Sequence, residues 1–126
     1  MLEVVSIQRR RSNRMTFDEY DREAEKTANY PRENNIGLCY VFLGLVEEAG
    51  ECSGKIKKII RDEESIEVGI QKKKYDIIKE LGDVLWYVSA CAREIGTDLE
   101  TIAKENNKKL QSRYERGTIK GSGDNR

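Results

Sequence analysis

At 126 residues the chain has the size of one domain, and a fold this short removes only about two-thirds of its unfolded surface from water. Charged and hydrophobic residues each make up 37%, with one proline and ten glycines; that balance suits long helices carrying one apolar stripe each and argues against an all-β fold. The formal net charge is zero, which excludes sequence-independent attraction to nucleic acid or to an anionic membrane, so any phosphate binding must be local.

Residues 1–15, with Arg9, Arg10, Arg11 and Arg14, have no helical or strand period and read as an N-terminal arm. Thr16-Phe17-Asp18-Glu19 has the spacing of a capping box, which predicts a helix to about Ala28, ended by Pro31. After a loop through Asn35, apolar residues recur at helical spacing from Gly37 to Arg61, in a stripe centred near Leu45 and Ile56. The acid-rich stretch 62–70, holding Gly69, reads as a connection in which Ile66–Ile70 adds at most a short helical turn. A third long helix is expected from Gln71 to Ile95, with its stripe on Leu81 and Val88 and Gly96 as its C-terminal cap. Thr97-Asp98-Leu99-Glu100 repeats the capping-box spacing and opens a helix toward Tyr114. The domain therefore covers residues 16–116, and residues 117–126 form a loop-like tail. The fold class is all-α, a four-to-five-helix bundle, and no internal repeat is present.

Histidine is absent. That removes histidine triads, the usual zinc sites and the Glu-x-x-His di-iron bundle, leaving carboxylates, lysines and arginines for any chemistry. Cys39, Cys52 and Cys91 are an odd set without C-x-x-C spacing, which points to a reducing compartment and to small core residues at Cys52 and Cys91. No signal-peptide core and no long apolar run occurs. A cytoplasmic protein that neither spans nor binds a membrane is expected.

The acids fall into a repeated pattern. With about 100° per residue around a helix, Glu48 lies at the edge of the second helix's stripe and Glu51 about 60° further out. Glu80 and Asp83 stand in the same relation to the third helix's stripe. Two such helices packed antiparallel through their stripes bring four carboxylates to one groove. Crowded carboxylates raise one another's pKa unless a cation sits among them, and a hard divalent ion such as Mg2+, with Mn2+ as substitute, answers that need. The plainer alternative is that each pair is a solvated face of a charged helix.

The ordered set Glu48-Ala49-Gly50-Glu51 and Glu80-Leu81-Gly82-Asp83 resembles the E-x-x-E and E-x-x-D signature of the MazG-like all-α nucleotide pyrophosphohydrolases. The stretches Gly44–Glu51, Glu80–Tyr87 and Asn106-x-x-Lys109-Leu110-x-x-Arg113 are similar to that family as well. The ending Arg116–Arg126 is similar to its short, often phage-borne members, whose compartment would be the host cytoplasm. The resemblance covers residues 16–126. It implies a homo-oligomer, a dimer or dimer of dimers up to a homotetramer, in which Glu48, Glu51, Glu80 and Asp83 hold magnesium and carry catalysis. It implies the hydrolysis of a nucleoside triphosphate, a deoxynucleotide foremost, to the monophosphate and pyrophosphate through water attack at the α-phosphorus.

Other residues carry weaker signals. Lys55, two turns after Glu48, and Lys58 on the flank nearer Glu51 are either solvated lysines or contacts to the triphosphate. Asn106 sits in the stripe of the last helix, where it caps a neighbouring group or bonds substrate, with Lys109 and Arg113 on its flank. Arg116 and the tail either close over nucleotide or stay loose. Tyr87, beside Glu80, belongs either to the core or to the nucleotide pocket. Trp86, Tyr75 and Arg93 project opposite the third helix's stripe, which suggests a subunit interface. Two rivals to a broad hydrolase stand: an enzyme specific for one deoxynucleotide, and a non-catalytic helical interaction module whose acids are surface decoration.

Overall fold

A computed structural model describes residues 14–124 of the chain. The N-terminal arm lies outside them apart from Arg14 and Met15, as do residues 125–126. The described residues form four α-helices and no strand: α1 (Phe17–Glu25), α2 (Ile36–Asp62), α3 (Ile66–Glu94) and α4 (Leu99–Glu115). A single 3-10 turn, Glu33–Asn35, leads into α2.

Each helix start has a local cause. At α1 the expected capping box is complete: Thr16 accepts from the Glu19 amide and Glu19 accepts from the Thr16 amide. The helix ends at Glu25, short of the expected Ala28, where the Thr27 hydroxyl donates to the Ala24 carbonyl. Before α2, Asn34 and Asn35 take positive φ of 53° and 63°, a conformation that asparagine tolerates better than most residues. α3 begins at Ile66, five residues before the expected Gln71, because Ser65 accepts from the Val68 amide. Gly69, which in the sequence looks like a break, is a buried position inside this helix, and a Cβ there would stand 2.3 Å from Ile59 Cγ2. At α4 the cap is Asp98, one residue after the threonine of the expected box. The Thr101 amide donates to Asp98, and that bond holds its carboxyl below the usual carboxylate range. Gly96, with φ of 79°, closes α3 as expected, aided by the Thr97 amide donating to Ala92.

The architecture is an antiparallel pair, α2 against α3, with α1 and α4 laid against α3 and each other. The seam of the pair is built from small groups. Val41, Ala90 and Cys91 are buried at its centre, and Gly44 takes the Tyr87 ring directly against its backbone. The seam runs along Gly37, Val41, Gly44, Glu48, Lys55 and Ile59 of α2, and along Gly69, Glu80, Tyr87 and Cys91 of α3. On α2 the expected centre holds, with Leu45 packed against this core and Ile56 half-buried, whereas on α3 the expected centre is displaced. Leu81 is 55% exposed, as Leu43 and Val46 are at 71% each, so several bulky aliphatic residues face out while Gly44, Ala90, Glu48 and Glu80 lie in the seam. Close approach explains it, since a helix pair drawn together at glycine leaves no room for leucine at the same level.

Trp86 and Arg93 also depart from expectation. They face α1 and the segment after it within the same chain. Trp86 donates from its indole nitrogen to Thr27 Oγ1 at 2.8 Å and packs edge-on against Tyr87 and Tyr30. Arg93 contacts Ser89 and shares a small hollow with Asp21 and Asp98. The landing place of a short helix such as α1 is a tertiary fact without a local sequence signal. Asp21 fixes it, accepting from the Ser89 hydroxyl and, at 3.0 Å, from the Leu99 amide. Tyr75, by contrast, is 70% exposed.

The tail folds back on α4. Arg113 is buried, at 5% exposure, and donates to the Gly123 and Asp124 carbonyls and to the Asp124 carboxylate, which Lys109 also reaches at 3.3 Å. Cys91 is buried and Cys52 half-buried, in keeping with their expected packing.

Two outcomes follow from these contacts. Gly44→Ala would push a methyl to 2.1 Å from Tyr87 Cε1 and is expected to cost about 1–3 kcal/mol in denaturant unfolding, whereas Gly54→Ala, which meets open space, gains roughly 0.5–1 kcal/mol. Arg113→Met removes charge-assisted bonds worth roughly 1.5–3 kcal/mol each, so trypsin cleavage after Lys120 and amide exchange of residues 118–124 should accelerate by about tenfold.

Candidate functional site

Midway along the α2–α3 seam the small apolar residues give way to acids. One carboxylate oxygen from each of Glu48, Glu80 and Asp83 lies within 4.8 Å of the others. Glu48 and Glu80 are half-buried and Asp83 is exposed, so the cluster opens to solvent on the Asp83 side. The close approach at Gly44, one turn before Glu48, and Tyr87, one turn after Asp83, sets this spacing. Glu51, the fourth acid of the expected set, is exposed and outside that group, although its charge reaches Glu48.

The electrostatics are those of a partly neutralised anionic nest. Burial, followed by the charges of Asp83 and Glu51, pushes the Glu48 carboxyl above the ordinary carboxylate range. Lys55 answers part of the charge: its ammonium stands 3.3 Å from Glu80 Oε1, with Glu80 only 14% exposed. Lys58 lies further along α2, on the rim of a hollow of about 210 Å³ shared with Lys55, Asp62 and Asp76. Three converging oxygen donors, one of them disfavoured as an anion by its surroundings, match the donor chemistry of a hard divalent cation that keeps part of its water shell. The residues present fit such an ion.

The remaining predicted residues are dispersed. The Tyr87 ring belongs to the core, against Gly44 and Trp86, while burial and the charges of Tyr40 and Glu48 raise its hydroxyl. Asn106 is exposed on α4, a helix that packs on α1 and α3 and, among the described residues, has no contact with α2. Lys109 and Arg113 are engaged with the tail, and Arg116 is exposed with its Nε donating to Ser112. Within the chain α4 therefore brings none of these four to the acids.

One feature escaped the sequence reading. Tyr20 of α1 is half-buried, and burial and the nearby Asp83 raise its hydroxyl pKa. With Met15, Phe17 and Leu85 it lines a largely apolar hollow of about 350 Å³ beside the carboxylates. Phe17, Tyr20 and Ala24 share one face of α1 at helical spacing, but that spacing does not say which helix the face meets.

Comparison with known proteins supports a single assignment. Residues 40–118, which hold all four predicted acids, match the MazG nucleotide pyrophosphohydrolase domain. The chain is 46% identical to the Gene 37 protein of Mycobacterium phage L5 over 116 residues, covering 89% of this chain and all of that protein. It is 34% identical to the uncharacterized protein YvdC of Bacillus subtilis (strain 168) over 74 residues, covering 56% of this chain and 70% of the relative. No solved structure matches it. An all-helical chain whose acid-bearing pair lies inside the matched segment belongs to the MazG nucleotide pyrophosphohydrolase family.

Proposed function

We propose that the chain hydrolyses a nucleoside triphosphate, with deoxynucleotides foremost, to the monophosphate and pyrophosphate in a magnesium-dependent reaction. The observation that carries this reading is the convergence of Glu48, Glu80 and Asp83 within 4.8 Å inside the family's matched segment. A bound divalent ion, Mg2+ or in its place Mn2+, would polarise the phosphate oxygens and lower the pKa of a bound water. Glu48, Glu80 and Asp83 would hold it, with Glu51 one turn along α2 at the open side. A carboxylate of this set takes the proton of the attacking water while its oxygen bonds the α-phosphorus. The bond from that phosphorus to the bridging oxygen breaks, and pyrophosphate leaves. Lys55 and Lys58 offset charge on the phosphate oxygens. The apolar hollow beside Asp83, with Tyr20 and Phe17 on its wall, is large enough to seat a nucleobase.

We further propose that the working form is a homo-oligomer. Leu43, Val46, Ile78 and Leu81 expose large apolar surfaces on the outer faces of α2 and α3, more than an isolated protomer of this size ordinarily leaves wet. A second copy would cover them and is also the means by which Asn106, Lys109 and Arg116 of α4 reach a site. No helix among the described residues is long and apolar enough to cross a membrane.

Pyrophosphate release from each common ribo- and deoxynucleoside triphosphate tests the activity. Release should require Mg2+ and fall by about 100-fold or more in Glu48→Gln and in Asp83→Asn, at or beyond the roughly 10- to 100-fold that losing even an outer-shell partner of a metal's ligands costs. No release from any nucleotide by the folded protein would favour a helical interaction module, and equal turnover of all would favour a broad hydrolase. Light scattering at micromolar concentration should give a dimer or tetramer; a monomer would overturn the oligomer.

A further inference from the structure

The position of Lys55 carries more than a contact to substrate. It occupies the same α2 seam line as Val41, Gly44, Glu48 and Ile59, not a solvated shoulder, and its side chain is 36% exposed against 68% for Lys26 and 72% for Lys108. Side chains on a helix lean toward its N-terminus, so the Lys55 stem runs back along the seam. That direction brings its ammonium to Glu80, 3.3 Å from an oxygen of the very residue that faces Glu48 and Asp83. Among the described residues it is the basic group that an ion pair joins to one of the three acids.

We propose that Lys55 is a built-in counter-ion of the carboxylate set. It holds Glu80 while the acids are without a metal, yields that carboxylate when a divalent cation binds, and turns to the oxygens of the incoming triphosphate. The inference rests on the metal reading above.

Three arguments support it. A single ammonium cannot neutralise three carboxylates whose oxygens lie within 4.8 Å of one another, so the pairing of Lys55 with Glu80 leaves the set anionic. An ammonium and a divalent ion competing for one carboxylate repel each other, and the lysine, on a flexible four-carbon stem, is the partner able to move. It also has somewhere to go. The hollow of about 210 Å³ next to it is lined by Asp62, Glu63 and Asp76 as well as Lys58 and Lys73, so an ammonium that leaves Glu80 remains among acceptors until phosphate arrives. Exchange of this kind would also shape the unliganded site, keeping Glu80 turned toward Glu48 and Asp83.

The test is calorimetric titration of Mn2+ and of Mg2+ into the full chain without nucleotide, for the wild type, Lys55→Met and Lys55→Gln. Removing a competitor held by a partly exposed ion pair, worth up to about 1 kcal/mol, should tighten metal binding roughly 2- to 5-fold in both variants. The same variants should raise KM for the triphosphate far more than they lower kcat, because the lysine serves phosphate binding once released. Lys55→Arg, whose fork grips a carboxylate with two bonds, should bind metal no more tightly than wild type. Metal affinity unchanged or weakened in Lys55→Met and Lys55→Gln would overturn the exchange and make the lysine a fixed support of Glu80. A folded wild type that binds neither ion would overturn the metal reading itself, and this inference with it.

Discussion

Everything in this chain hangs on how closely α2 and α3 approach each other. At Gly44 a Tyr87 ring fills the space of a missing side chain, and at Gly69 Ile59 does the same. These two contacts hold the helices near enough for carboxylates on opposite sides of the seam to come within 4.8 Å. Like charges would drive such a pair apart if packing were loose. The apolar contacts at both ends of the acidic stretch supply the opposing force, and burial together with the charges of Asp83 and Glu51 raises the Glu48 carboxyl.

The same closeness explains what the exterior looks like. A seam made from glycine, alanine and cysteine buries little apolar area, and the buried hydrophobic residues among those described are mostly small: Ala24, Ala90, Cys91 and Ala92 beside Val41, Ile59 and Leu99. Many of the larger aliphatic residues, among them Leu43, Val46, Ile60, Ile78 and Leu81, sit outside it. Hydrophobic stabilisation scales with the area removed from water, and much of the apolar surface of the described residues stays outside this core.

Much of this was legible in the sequence. The helix order followed from capping residues and periodicity, and the i,i+3 acids on two helices stood out because their offsets from the apolar stripe match. The stripe centre of α3 was misjudged, since hydrophobicity alone points to Leu81, which is exposed, while close packing at Gly44 selects Tyr87; on α2 Leu45 does pack against the core. Ser65 was hidden behind an acid-rich stretch and a glycine that together look like a loop; Gly69 turned out to serve Ile59. Glu51 could not be separated from its neighbours by angle alone, because 60° on a wheel does not say which side faces α3. The long-range placements of Trp86, Arg93 and Tyr20 had no local signal at all, as each depends on where α1 lands.

The indole of Trp86 has a practical consequence. It is the single tryptophan of the chain, and it lies where three parts meet: the Thr27 hydroxyl after α1, the Tyr30 ring before α2, and Tyr87 in the seam. Its emission therefore comes from one place, undiluted by other indoles. Undocking of α1 would break the bond to Thr27 and wet the ring, shifting its fluorescence to the red, while the carboxylates themselves stay optically silent. The protein carries its own optical reporter on the closure of the helix that walls the hollow beside Asp83.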